Sequence, residues 1–297
     1  MRKILIGLFL IIDIILLGLS NNEFNTNKDN YVSNNIIASI EEESILNYKN
    51  IYYQDINFNY VSNSTSTILT NKQDILNLLY TTINNGYDEI EFSCSSEYLT
   101  CYDDLTSTIN DGHILSIINN LVHPYNSAQS INLAYLNNDL KLSINKIYSN
   151  NEIEYIDNRI NNISSQIITT NMTDRQKIKK VHDYLANNIS YNRGYKSNTA
   201  YGALFYKEAI CSGYSDVLAL FLTKLNIPNY KVVTNNHVWN VLYIDNTWLH
   251  IDLTYDDPSN IYSTNTSNYN FFLISTNEII KDKYDHNLDL RVYSELS

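Results

Sequence analysis

Apolar and polar positions change period several times along this chain. The first twenty residues, MRKILIGLFLIIDIILLGLS, are nearly continuously apolar from Ile4 to Leu19, broken by Asp13. Residues 21–50 are polar, with no sustained apolar period, and read as a linker. Residues 72–84 then recur at helical spacing, YDEIEFSC (87–94) as a strand, and 103–122 as a second helix. SINLAYL (130–136) and LKLSINKIY (140–148) alternate as strands about Asn137, Asn138 and Asp139, which are turn residues. These pieces predict a small α/β domain of unassigned role over residues 51–165.

A second unit, residues 166–297, begins around NEIEYIDNRINNISSQII and the helix TDRQKIKKVHDYLANNI. Thr173 and Gln176 have capping-box spacing, and Ile178, Val181, Leu185 and Ile189 share one face of the helix that follows. His182 lies beside that stripe and reads as structural. A further helix runs from just after Cys211 to about Leu225, with Val217, Leu218, Phe221, Leu222 and Leu225 as its apolar face. Pro228 forbids its continuation.

Beyond it, YKVVT, HVWNVLYID and TWLHIDLTYDD read as strands. The last two are joined by Asp245 and Asn246, a two-residue hairpin turn. With that loop, Ile244 pairs with Thr247, Trp239 stands opposite Asp252, and His237 opposite Thr254. His237 and Asp252 become diagonal neighbours on one face, within side-chain reach. His250 shares the face and is the rival to His237.

Composition narrows the chemistry. The chain has 297 residues, a net charge of −12 and no Lys/Arg cluster, which disfavours nucleic acid and anionic surfaces as partners. Its 26 tyrosines suggest no mechanism. The basic start at Arg2 and Lys3, the apolar run and the small residues Gly18 and Ser20 are the plan of a signal peptide, the alternative being an N-terminal membrane anchor. A secreted or cell-envelope location is expected, with a membrane tether through residues 1–20 if the segment is retained.

Three cysteines in an exported chain suggest one bridge and one free thiol. Cys94 and Cys101 are the natural local pair, two unpaired buried thiols being the alternative. Cys211 is left over in either case. At a helix N-terminus the dipole and unpaired amides favour an anion, the setting of a reactive thiolate. His113 and His123 have no metal-ligand spacing and read as surface or helix-end residues. Cys211 with His237 and His250 lacks the spacing of structural zinc sites, so no metal or cofactor is expected.

AYGALFYKEAICSGYSDVLALFLTKLNIP, then HVWN, then WLHIDLTYDDP resembles the catalytic core of bacterial transglutaminase-like proteins, over roughly residues 173–260. The resemblance implies a papain-like α+β fold with the cysteine helix packed on an antiparallel sheet. It also implies Cys211 as nucleophile, His237 as base and Asp252 as its orienting partner, acting on amide bonds of a peptide or protein. The tryptophan that several transglutaminases place upstream of the cysteine is missing. Tyr201 is a candidate oxyanion donor beside the Cys211 amide, with Trp239 and Asn240 as further substrate-positioning candidates. Asp256 and Asp257 read as loop-fixing residues, since two adjacent carboxylates fall short of a calcium site. The expected activity is that of a cysteine peptidase or amidase. The alternatives are a protein transamidase with the same triad and a non-catalytic envelope or adhesion module.

Overall fold

The computed structural model describes residues 58–136, 139–260, 269–282 and 284–297. The apolar segment 1–20, the linker 21–50 and the Asn137–Asn138 turn lie outside the described residues. All described residues belong to one compact unit, Ser44–Ser297.

The first half builds a four-stranded sheet of order β1-β2-β4-β3 from β1 (Ile68–Leu69), β2 (Glu89–Cys94), β3 (Ala128–Leu136) and β4 (Asp139–Lys146). Its helices are α1 (Lys72–Asn84), α2 (Cys101–Ile109) and α3 (Gly112–Leu121). The sequence pattern predicts one helix over 103–122, but the structure has two. Asp111 ends the run by capping a new helix, its carboxylate accepting from the amides of His113 and Ile114 at 2.8 and 3.2 Å. A cap of this kind outweighs continuity of apolar period because it satisfies two otherwise unpaired donors. Cys94 and Cys101 are joined by a disulfide that ties the end of β2 to the start of α2, with Cα atoms 6.1 Å apart.

Two helices, α4 (Asn150–Ile167) and α5 (Asp174–Asn188), follow, each begun by a capping box, Ser149 with Glu152 and Thr173 with Gln176. After the two-residue pair β5 (Ser190–Tyr191) and β6 (Glu208–Ala209) comes α6 (Cys211–Lys224), buried continuously from Gly213 to Leu222. Gly213 is required by close approach: a Cβ there would lie 2.2 Å from the Ser197 carbonyl oxygen. That contact lets the 194–200 loop dock on the first turn of α6, where the Ser197 carbonyl accepts from the Ile210 amide at 2.9 Å.

The second sheet, of order β10-β9-β8-β7, is antiparallel throughout: β7 (Asn229–Val233), β8 (Val238–Ile244), β9 (Thr247–Ile251) and β10 (Phe272–Ile274). The hairpin has the register expected, Ile244 paired with Thr247 and Val241 with His250. Asp245 and Asn246 both adopt positive φ, 55° and 62°, as the two-residue turn demands. One face of the sheet, through Leu242, Ile244, Leu249 and Ile251, joins the core of α4, α5 and α6. The other, through Tyr230, Val232, Trp239 and Val241, joins the core of the first sheet and α1 to α3. The architecture is α+β, with a cysteine-bearing helix packed on an antiparallel sheet.

Strand β9 stops at Ile251, one residue short of the expected Asp252. Asp252 instead caps the short helix α7 (Leu253–Asp256), accepting from the Thr254 amide at 2.9 Å. Thr254 is therefore helical, although the alternating pattern placed it on the strand. Helix α8 (Thr276–Ile279) and a largely irregular tail complete the described chain.

Candidate active site

Cys211 is the first residue of α6 and is a free, half-buried thiol. The first-turn amides of a helix have no intrahelical partner, so donors surround it on the helix side. Two hydrogen bonds fix that end of α6 against β8. Ser215 Oγ donates to the Val238 carbonyl at 3.0 Å, and Asn240 Nδ2 donates to the Ser215 carbonyl at 2.9 Å. Deeper in the helix, the buried Asp216 pairs with Lys231 of β7 and accepts from the Tyr148 hydroxyl.

His237 sits just before β8, 5 % exposed. Its Nε2 lies 2.6 Å from Asp252 Oδ2, which leaves Nδ1 as the ring nitrogen available to the Cys211 thiol on the wall of the same cavity. Burial works against a charged imidazole here. The charge and hydrogen bond of Asp252, helped by Cys211, outweigh it and push the His237 pKa up to about 10. For Asp252, burial alone would raise the pKa, but His237 and then His286 hold it well below the usual carboxylate range. The indole of Trp239 stacks on the His237 ring, with centroids 5.7 Å apart and planes 17° from parallel. Tyr255 packs against the same ring at 4.9 Å.

The structure thus brings together Cys211, His237 and Asp252, and it gives the other candidates partners of their own. Trp239 Nε1 donates to His250 Nδ1 at 2.9 Å, so its indole N–H is committed inside the sheet. Asn240 is buried and braces α6, as above. Tyr201 stacks on Phe205, 5.1 Å between centroids, and is absent from the cavity wall at Cys211. His250, the rival base, hydrogen-bonds Trp239 and Thr276, and burial pushes its pKa down to about 3.

The remaining polar residues hold loops in place. His182 and Asp256 are both buried, 3.1 Å apart, and join α5 to α7, while Asp256 Oδ1 also accepts from the Phe271 amide. Asp257 accepts from Tyr214, the Ser259 hydroxyl and the Ser259 amide. His123 caps the 3-10 turn Pro124–Asn126, the helix-end place of the two the sequence left open, and it is buried there.

His286 was not foreseen. Its Nε2 is 2.9 Å from the same Asp252 Oδ2, and its Nδ1 is hydrogen-bonded to Asp282. The spacing of Asp282 and His286, four apart in KDKYDHN, is the only local signal of this pair, and it is a faint one. His237, Asp252 and His286 place three ligand-type atoms within 4.8 Å of one another. At 2.6 and 2.9 Å the two histidine nitrogens are at hydrogen-bonding distance from one carboxylate oxygen.

A cavity of about 390 Å³ opens on Cys211, between Ser212, His237 and Val238 on one side and Gly112, His113, Ser116 and Asn120 of α3 on the other. Ser212, Ser116 and Asn120 also line a neighbouring cavity of about 560 Å³. His113 and the 233–236 loop likewise line a second neighbouring cavity of about 500 Å³. The first half of the chain therefore supplies one wall of the cleft.

A half-buried thiol at a helix start, an imidazole held by a buried carboxylate and an open cleft lie together on a papain-like α+β scaffold. Residues 161–253, which include all three residues, match the family model of the transglutaminase-like superfamily. Among solved structures, the chain is similar to one described as "Crystal structure of a TGase", at 18 % identity and a TM-score of 0.33, covering 43 % of this chain and 44 % of that one. It is also similar to a putative cysteine protease from Cytophaga hutchinsonii, at 12 % identity and a TM-score of 0.28, covering 42 % of this chain and 61 % of that one. In both, the chain spans less than two thirds of the other protein's length. No curated protein matches it.

Proposed function

We propose that this protein is an exported thiol-dependent acyl-transfer enzyme acting on amide bonds of peptides or proteins, as a cysteine peptidase or amidase. The observation that carries the reading is the line from Cys211 through His237 to Asp252, with the thiol facing a cleft and the carboxylate buried. In this mechanism Cys211 gives its proton to His237 Nδ1, and the thiolate attacks the amide carbonyl. The oxyanion is met by the Cys211 backbone amide at the start of α6. His237 returns the proton to the departing amine, leaving a thioester on Cys211. Water, deprotonated by His237, then attacks the thioester carbon. The carboxylic acid leaves and the thiol is restored.

Asp252 keeps the imidazole in the tautomer and orientation that both steps need. Water as the acceptor requires no second binding site, which favours hydrolysis over transamidation. The signal-like segment 1–20 and the Cys94–Cys101 bridge, which suits an oxidising compartment, support export.

The test is incubation with an unstructured protein, with and without a labelled primary amine. Release of new termini or free ammonia, lost in Cys211→Ala, supports the hydrolase. Label incorporation in place of release would convert the reading to a transamidase. No product of either kind, with Cys211→Ala indistinguishable from wild type, would remove the enzymatic reading.

A further inference from the structure

The carboxylate that orients His237 is shared. Asp252 Oδ2 accepts from His237 Nε2 at 2.6 Å and from His286 Nε2 at 2.9 Å, while Oδ1 accepts from the Thr254 amide at 2.9 Å. His286 is 2 % exposed and cannot swing away. Asp282 holds its Nδ1, the Trp239 indole lies edge-on at 4.7 Å, and Phe271 packs at 5.0 Å. Its Nε2 faces a carboxylate oxygen of the ionised Asp252, which accepts, so this nitrogen acts as the N–H donor. His286 lies beyond the residues matched by the family model.

We propose that His286, fixed by Asp282, is a positioning residue that takes a share of Asp252 Oδ2 and so limits how tightly Asp252 holds the proton on His237. The inference rests on the acyl-transfer reading of Cys211. A carboxylate oxygen that satisfies a second donor is less basic, and it is a weaker partner for the first. The mechanism needs such a limit. His237 must release its proton to the leaving amine and take another from water, and an acid held far above the working pH releases too slowly. Even with Asp252 shared, His237 is held up to about 10. Sharing thus acts against the over-stabilisation of the ion pair that a buried carboxylate produces.

The titratable groups facing the two histidines are Cys211 from α6, Asp252 and Tyr255 around α7, and Asp282 from the turn after α8. His250 of β9 is within electrostatic reach. None of these is altered in the first variant below.

The test uses the whole protein labelled with ¹⁵N-histidine, whose six histidines are few enough to assign by substitution. It follows His237 protonation against pH in wild type, His286→Phe, His286→Gln and Asp282→Asn. In His286→Phe the His237 titration moves to higher pH by about one unit, a tenfold tighter proton. The alkaline limb of Cys211 alkylation by iodoacetate moves with it, and kcat falls. His286→Gln, which can return an N–H donor to Asp252, brings the titration back toward wild type.

Asp282→Asn shifts it in the same direction by less, and this variant carries the test if His286→Phe does not fold. A His237 titration that is unchanged, or that moves to lower pH because Asp252 has lost a mere prop, would overturn the proposal. The titration needs no turnover, so the two readings fail separately. An inactive wild type with a shifted His237 would remove the acyl-transfer function and keep the coupling. An active wild type with an unshifted His237 would remove the role of His286 alone.

Discussion

Replacing Asp252 by Asn keeps its shape and removes its charge, which isolates what that charge does to His237. In the wild type the imidazole is taken from an ordinary value of 6.5 up to about 10, against an opposing effect of burial. At about 1.4 kcal/mol per pH unit, this difference corresponds to roughly 5 kcal/mol of preference for the charged ring, an order-of-magnitude figure for a buried pair. Without the carboxylate charge, burial is opposed only by the smaller help of Cys211, so His237 in Asp252→Asn titrates well below 10. Loss of its acid–base role lowers kcat by about 10²- to 10⁴-fold.

The same linkage sets the pH dependence of folding. A histidine whose pKa is raised in the folded state contributes stability that is full below its unfolded value, and the contribution is lost as pH rises through the folded one. The depressed Asp252 contributes above about 4 and loses its share only as pH falls through its lowered folded value. The stability gap between wild type and Asp252→Asn is therefore widest between about pH 4 and 6.5, and it narrows toward pH 10. Urea unfolding of both proteins at pH 5, 7 and 10 measures it. A gap that stays constant over that range would show that Asp252 acts on the fold by shape alone, and the electrostatic account of the site would fall.

Other outcomes follow from the same geometry. Gly112 lines the cleft opposite Cys211, and a Cβ there would meet no heavy atom within 4 Å. Gly112→Trp should cut turnover of a protein substrate by at least about tenfold through steric exclusion, while iodoacetamide still reaches Cys211 at the wild-type rate. Lys231→Met strands the buried Asp216 beside Tyr148 and should cost about 3–5 kcal/mol in urea unfolding at pH 7. His123 and His250 are buried with pKa values pushed down to about 3, so the unfolded chain takes up protons first as pH falls below 6.5. Stability should drop by about 2 kcal/mol for each between pH 7 and 5, visible as a lower urea midpoint. Reduction of Cys94–Cys101 opens a short loop and should lower stability by about 2–3 kcal/mol in the same measurement.

Where one short stretch carries its own signal, the sequence was readable. Asp245 and Asn246 set the hairpin register, and with it the approach of His237 to Asp252, because a two-residue turn leaves one pairing that keeps the apolar face inward. Thr173 and Gln176 announce α5 in the same way, and Pro228 limits α6. Local chemistry that competes with a pattern was harder to see. Asp111 and Asp252 each take backbone amides with their carboxylates, and each starts a helix where periodicity predicts continuation. His286 was beyond reach for another reason. It comes from an irregular tail, and it meets Asp252 only because that tail folds back on the end of the second sheet. The fates of Tyr201, Trp239 and Asn240 were decided by tertiary partners, Phe205, His250 and Ser215, that no spacing in the sequence indicates.

The central claim is that His237 makes Cys211 a nucleophile, and the rate of iodoacetamide alkylation of Cys211 between pH 5 and 10 tests it most directly. The account predicts that at pH 6 wild type reacts at least about tenfold faster than His237→Ala. Identical profiles in the two proteins, each rising only near 8.5 as an isolated thiol does, would contradict it.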